Sequence, residues 1–102
     1  IVVLGQEGCG AVKAACDNVE LGNITSLLSN ITPSVAAVKG GADAPHDSSN
    51  AAFVNAAIDE NVNQTIDKIR SMSPMLKDLE DQGAIQIKGG VYKLATGQVE
   101  LL

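Results

Sequence analysis

Apolar residues along this chain recur with two different periods, and the changes of period mark its elements. Ile1-Val2-Val3-Leu4 is an unbroken apolar run that ends at Gly5, the pattern of a strand buried on both faces. A glycine-rich turn, Gly5-Gln6-Glu7-Gly8-Cys9-Gly10, leads into the helix-favouring stretch Ala11-Val12-Lys13-Ala14-Ala15-Cys16. Strand, tight turn and helix in that order open a βαβ unit. From Asn23 to Lys39, Ile24, Leu27, Leu28, Ile31, Val35 and Val38 recur at helical spacing, and Pro33 interrupts or bends that helix.

Residues 40 to 50 are rich in glycine, proline and polar residues, which predicts an exposed loop. Asn50 or Ser49 then caps a long helix whose apolar face carries Phe53, Val54, Ala57, Ile58, Val62, Ile66 and Ile69. Ser73-Pro74 starts a further helix running through Leu76 and Leu79 to Gly83. The stretch from Ala84 to Leu94 reads as a strand with a Gly89-Gly90 pair inside it, Thr96-Gly97 as a turn, and Gln98 to Leu102 as a closing strand. The expected product is an α/β fold: a small mixed, mainly parallel sheet flanked by helices, with an antiparallel strand at the C-terminal end.

A chain of 102 residues bounds this to one domain, spanning 1–102. Hydrophobic residues at 45% and charged residues at 19% are those of a globular chain. Phe53 and Tyr92 are the only aromatic residues, so aliphatic side chains must build the core. A net charge of −5, with the seven basic residues scattered, argues against nucleic-acid binding. No apolar run approaches the length of a membrane span, so no membrane partner is expected. Cys9 and Cys16 are too few for a disulfide framework and, across a helix, about 10 Å apart, which predicts reduced thiols and a cytoplasmic setting. Three Asn-x-Thr triplets, at Asn23, Asn30 and Asn63, are of a kind that arises by chance in Asn-rich chains.

The opening loop is where chemistry is expected. Cys9 lies at or near a helix start, where partial positive charge favours a thiolate able to bind metal or attack as a nucleophile. The backbone N–H groups of Gly8, Cys9, Gly10 and Ala11 form a possible cradle for bicarbonate or phosphate. A tight turn with one small semi-buried residue explains the same pattern without any ligand.

The stretch from Ile1 to Ala15, with Gly5-Gln6-Glu7-Gly8-Cys9-Gly10-Ala11-Val12 at its centre, closely resembles the strand and loop of beta-class carbonic anhydrases. In that family Gly-His-x-x-Cys-Gly-Ala-Val supplies two zinc ligands. Asn61-Val62, Ser73-Pro74-Met75-Leu76, Gly83 and the run from Ile85 to Val99 look like the family's C-terminal part, in the same order. The resemblance implies zinc as the family cofactor, held by two cysteines and a histidine, with the first cysteine in a Cys-x-Asp-x-Arg segment that also supplies a gating Asp–Arg pair.

Of those ligands only Cys9 matches; Gln6 stands at the histidine position, and no Cys-x-Asp-x-Arg segment occurs in the chain. A domain beginning on a buried strand without Met is expected to be N-terminally truncated, its upstream part removed, lost or carried on a separate chain. One thiolate and a neutral amide should not retain zinc. No cofactor and no carbon dioxide hydration are therefore expected of this chain alone. His46 is expected to be solvent-exposed in its loop, Glu7 to be a surface residue and Cys16 to pack as a small apolar side chain. The leading expectation is a non-catalytic homologue acting as an assembly or binding module, self-associating as a dimer or higher homo-oligomer, as the resemblance implies. The alternatives are one part of a split or processed zinc-dependent enzyme and an anion-binding domain.

Overall fold

The computed structural model describes residues 1–102. In chain order the elements are β1 (Val2–Gln6), α1 (Gly10–Cys16), α2 (Asn23–Leu28), α3 (Thr32–Lys39), α4 (Ala51–Met72), α5 (Pro74–Asp81), β2 (Lys88–Lys93) and β3 (Gln98–Leu101). The sheet has the order β1-β2-β3. Strands β1 and β2 are parallel, from Val2 opposite Lys88 to Gln6 opposite Tyr92, and β2 and β3 are antiparallel, from Gly90 opposite Leu101 to Lys93 opposite Gln98. This is the expected mixed α/β architecture, with five helices in the crossover between the parallel strands.

Helix α4 organises the core. Asn50 caps it, its side-chain oxygen accepting from the Phe53 N–H at 3.3 Å. Phe53, Val54, Ala57, Ile58, Val62 and Ile66 are all buried along one face, as the helical periodicity predicts. Phe53 and Ala57 pack with Val12, Ala15 and Cys16 of α1, Leu28 of α2 and Val35 of α3. Further along, Val62 and Ile66 pack with Ile87. The helix lies this close to the sheet because two strand positions facing it carry no Cβ. A methyl group on Gly5 would stand 2.9 Å from both Ile58 and Val62, and one on Gly89 would stand 2.7 Å from Val62 and 3.0 Å from Ile66.

Three sequence expectations change. The Asn23–Lys39 stretch is two helices, broken at 29–31, upstream of Pro33; the proline lies in the first turn of α3, where its missing N–H costs no hydrogen bond. The strand expected from Ala84 begins only at Lys88. Residues 84 and 85 still cap α5, both N–H groups donating to the Leu79 carbonyl, with Gly83 at φ +76° making the turn. Strand β1 is covered on one face only, because the helices packed on the sheet lie on a single side, and Val2 and Leu4 are 60% and 54% exposed on the other. The 40–50 segment is the expected loop, with no buried residue, and it is tied down: Asp17 accepts from the Ser48 N–H at 2.8 Å and from the Ser48 hydroxyl at 2.6 Å, and the Asn50 amide donates to the carbonyls of Asp43 and Pro45.

Polar contacts lock the helices laterally. Ser34, fully buried on α3, lies 3.2 Å from both Asn61 Oδ1 and Gln64 Oε1 of α4. Its single hydroxyl proton serves one of them, and the hydroxyl oxygen is left to accept from the other amide when that amide is turned. Arg70 of α4 donates to both carboxylate oxygens of Glu80 on α5 at 2.8 Å, holding the α5 turn against the long helix.

Two outcomes follow for stability. Gly89→Ala should lower it by roughly 1–3 kcal/mol through overpacking against Val62 and Ile66, whereas Gly10→Ala, where an added methyl meets nothing within 4 Å, should not; urea unfolding compares them. Hydrogen bonds from Ser48, first its hydroxyl and then its backbone N–H, hold the Asp17 carboxyl below its ordinary value, so the folded chain binds that proton more weakly than the unfolded one. The contribution is complete above the unfolded value of about 4 and lost as pH falls through the lowered folded value. Urea midpoints measured from about pH 6 down to about pH 2 should therefore fall less steeply for Asp17→Asn than for the native chain.

Candidate functional site

The site is the junction where β1 ends and α1 begins. Gln6 is the last residue of β1, Glu7 and Gly8 make the turn, and Cys9 is the residue before the first helical turn. Gly8 has φ +68°, a left-handed conformation that favours glycine. The Cys9 N–H donates to the Gln6 carbonyl at 3.3 Å, and the Cys9 carbonyl accepts from the Lys13 N–H at 3.0 Å, opening the helix. Of the four backbone donors expected to cradle an anion, the one on Cys9 is thus already engaged within the turn, leaving those of Gly8, Gly10 and Ala11. The Cys9 side chain caps nothing and is half-buried.

Glu7 is more than a surface residue. Its N–H continues the sheet ladder to the Tyr92 carbonyl at 2.9 Å, and its carboxylate accepts from the Leu94 N–H at 3.1 Å. One residue thereby ties the turn after β1 to the end of β2 through both main chain and side chain. Only the three-dimensional pairing of Gln6 with Tyr92 reveals this, since Glu7 and Leu94 are 87 positions apart. Beside the turn a cleft of about 210 Å³ is lined by Glu7, Gly8, Lys13, Ser48, Val54 and Asn55.

His46 departs from its expected exposure. It is half-buried, its ring 5.4 Å from that of Phe53, and Nε2 lies 2.8 Å from the Ala42 carbonyl. A carbonyl only accepts, so Nε2 carries the proton and the ring is committed to its own loop. Cys16 packs in the core as expected; burial, then the carboxylates of Asp17 and Asp47, push its thiol up. Both cysteines are free thiols. The structure brings Gln6 and Cys9 into one turn, but no three His, Cys, Asp or Glu side chains converge in a way that could hold a metal ion.

Comparison with known proteins gives this arrangement its class. The carbonic anhydrase family model matches residues 1–99. A carbonic anhydrase of Mycolicibacterium smegmatis (strain ATCC 700084 / mc(2)155) is 30% identical over 106 residues, which cover 99% of this chain and 48% of that protein. Among solved structures, a tetrameric beta-carbonic anhydrase from Sordaria macrospora superposes with a TM-score of 0.85 at 18% identity, covering all of this chain and 51% of its own. The Aspergillus fumigatus beta-carbonic anhydrase CafA gives 0.81 at 22% identity, covering 99% and 47%.

The chain belongs to the carbonic anhydrase family, and its fold is that of the beta class. It spans about half the length of the relatives it matches. No helix is long and apolar enough to cross a membrane.

Removing the Glu7 carboxylate tests its positioning role. In Glu7→Ala the Leu94 amide should exchange with solvent about fivefold faster, the loss of a hydrogen bond worth about 1 kcal/mol, while amides in the middle of α4 keep their rates; hydrogen exchange read by NMR checks both.

Proposed function

We propose that this chain is a carbonic anhydrase-like assembly or binding module that does not hydrate carbon dioxide by itself. The observation that carries the reading is the donor set at the end of β1. Gln6 offers a neutral amide where the family resemblance places an imidazole, and Cys9 is the one thiol in the turn. Zinc in a catalytic site takes three strong protein ligands and keeps a fourth position for water. An amide and a single thiolate do not meet that requirement, and His46, the only histidine, is engaged with Ala42 and Phe53. The residues present do not fit the metal, so no step through zinc is assigned to this chain.

Self-association into a dimer or larger homo-oligomer is part of the proposal, supported by the tetrameric state of the Sordaria relatives. Two free thiols favour the reducing environment of the cytoplasm. A second reading rests on Cys9, the one ligand position that matches the family resemblance: with a further cysteine and an Asp–Arg pair supplied from outside these residues, the chain would be one part of a split or processed zinc-dependent enzyme. Gln6 leaves even that combination one ligand short.

Metal analysis and stopped-flow hydration assays on the purified chain separate these readings. The chain should contain less than about 0.1 equivalent of zinc and show no hydration above the buffer rate. Zinc near one equivalent would overturn the non-catalytic reading. Gln6→His, combined with a polypeptide carrying a Cys-x-Asp-x-Arg segment, should raise zinc occupancy if the split reading is right.

A further inference from the structure

We infer that residues 40–50 form a hinged strap, latched to α1 through Asp17, that opens to uncover the seam between α1 and α4. The segment holds its own shape. His46 Nε2 donates to the Ala42 carbonyl at 2.8 Å, the Ser49 N–H donates to Asp47 at 2.9 Å, and the Asn50 amide donates to the carbonyls of Asp43 and Pro45 at 2.7 and 3.0 Å. These bonds close on the segment itself, so it moves as one body.

At one end, Gly40 and Gly41 follow α3. A methyl group on Gly40 would meet nothing within 4 Å, and one on Gly41 would touch only the Val38 carbonyl, at 4.0 Å. Two consecutive residues without Cβ, in open space, change φ and ψ at little steric cost, which is what a hinge needs. At the other end Asn50 caps α4 and fixes the point where the chain returns.

Between hinge and cap, Ser48 alone makes hydrogen bonds to a distant part of the chain. Its N–H and its hydroxyl both donate to the carboxylate of Asp17, the residue that follows the last turn of α1. Little apolar burial reinforces this latch: no residue of the segment is buried, and its apolar contacts are the His46 ring against Phe53 and Ala42 against the same core cluster. A unit held by exposed hydrogen bonds and few buried contacts opens locally, at far lower cost than the whole domain.

Beneath the strap lie Phe53 and Cys16, 0% and 2% exposed. Asp47 of the strap sits close enough to Cys16 for its charge to act on the thiol. Ser48 is also one wall of the cleft beside the β1–α1 turn, together with Glu7, Lys13, Val54 and Asn55. Lifting the strap removes that wall and joins the cleft to the space over Phe53. The latch therefore sets the depth of the cleft, a small polar notch when closed and a deeper apolar pocket when released. This device goes beyond the assembly or binding role proposed above and does not depend on it.

Cys16 reports the opening. In a Cys9→Ala background it is the one thiol, and an aromatic disulfide reagent is added in excess to the folded chain at one fixed pH. The Cys16 thiolate attacks one reagent sulfur, the reagent S–S bond breaks, and the other half leaves as a coloured thiolate, while the thiol proton goes to the buffer. Urea at about 1 M should barely change the labelling rate, because a local opening exposes little new surface. Asp17→Ala should raise the rate about tenfold, and Ser48→Ala, which keeps the backbone donor, about threefold. Gly89→Ala, which weakens the contact between α4 and the sheet, should leave it within about twofold. Equal acceleration by Gly89→Ala and Asp17→Ala would overturn the inference, since Cys16 would then react only through global unfolding. So would an unchanged rate in both latch variants, or a thiol that reacts only in urea that unfolds the chain. If circular dichroism shows Asp17→Ala unfolded, Ser48→Ala decides alone. None of these rates depends on zinc, so their failure leaves the non-catalytic reading as it stands.

Discussion

The packing of α4 across the parallel β1–β2 pair is the contact on which the rest of the structure depends. It works at this distance because Gly5 and Gly89 present bare backbone to Ile58, Val62 and Ile66. With almost no aromatic residues, the domain has to gain its burial from close approach rather than from large side chains. Helices α1 and α3 then pack on α4, and the buried Ser34 fixes α3 against it by a short polar contact instead of a wider apolar one. The Arg70–Glu80 pair adds α5 at the far end.

The same contact sets the geometry of the junction at Gln6 and Cys9. Since Gly5 is held against α4, the chain leaves β1 at a fixed point, Gly8 turns it, and Glu7 anchors the turn to the end of β2. The frame is thus a rigid strand–turn–helix of the beta-carbonic-anhydrase kind, carrying one thiol and one amide. Frame and donors separate cleanly here. The close packing of helix on sheet rests on glycines and aliphatic contacts in which the side chain of residue 6 takes no part.

Much of this was legible in the chain. The α4 face, its Asn50 cap, the Ser73-Pro74 start of α5 and the order of strands follow from local periodicity and capping chemistry. The family resemblance of the opening loop and the C-terminal half is likewise carried by short-range motifs. What escaped depends on residues distant in sequence. The Glu7–Leu94 and Asp17–Ser48 ties span 87 and 31 positions, and the anchoring of His46 needs Phe53 to be in place first. The start of β2 was misplaced because the alternation of Ala84 to Ile87 has strand character, yet the first two of these residues are drawn into the α5 cap.

The sequence by itself determined the α/β class, the long helix α4 with its cap, and the start of α5, because each of these is written in neighbouring side chains. The tertiary structure alone decided that the apolar run of β1 is buried on one side and open on the other. An unbroken apolar run reports that both faces avoid water; it does not report what covers them. In this chain the helices cover one face, and the second remains an apolar surface free of acidic groups.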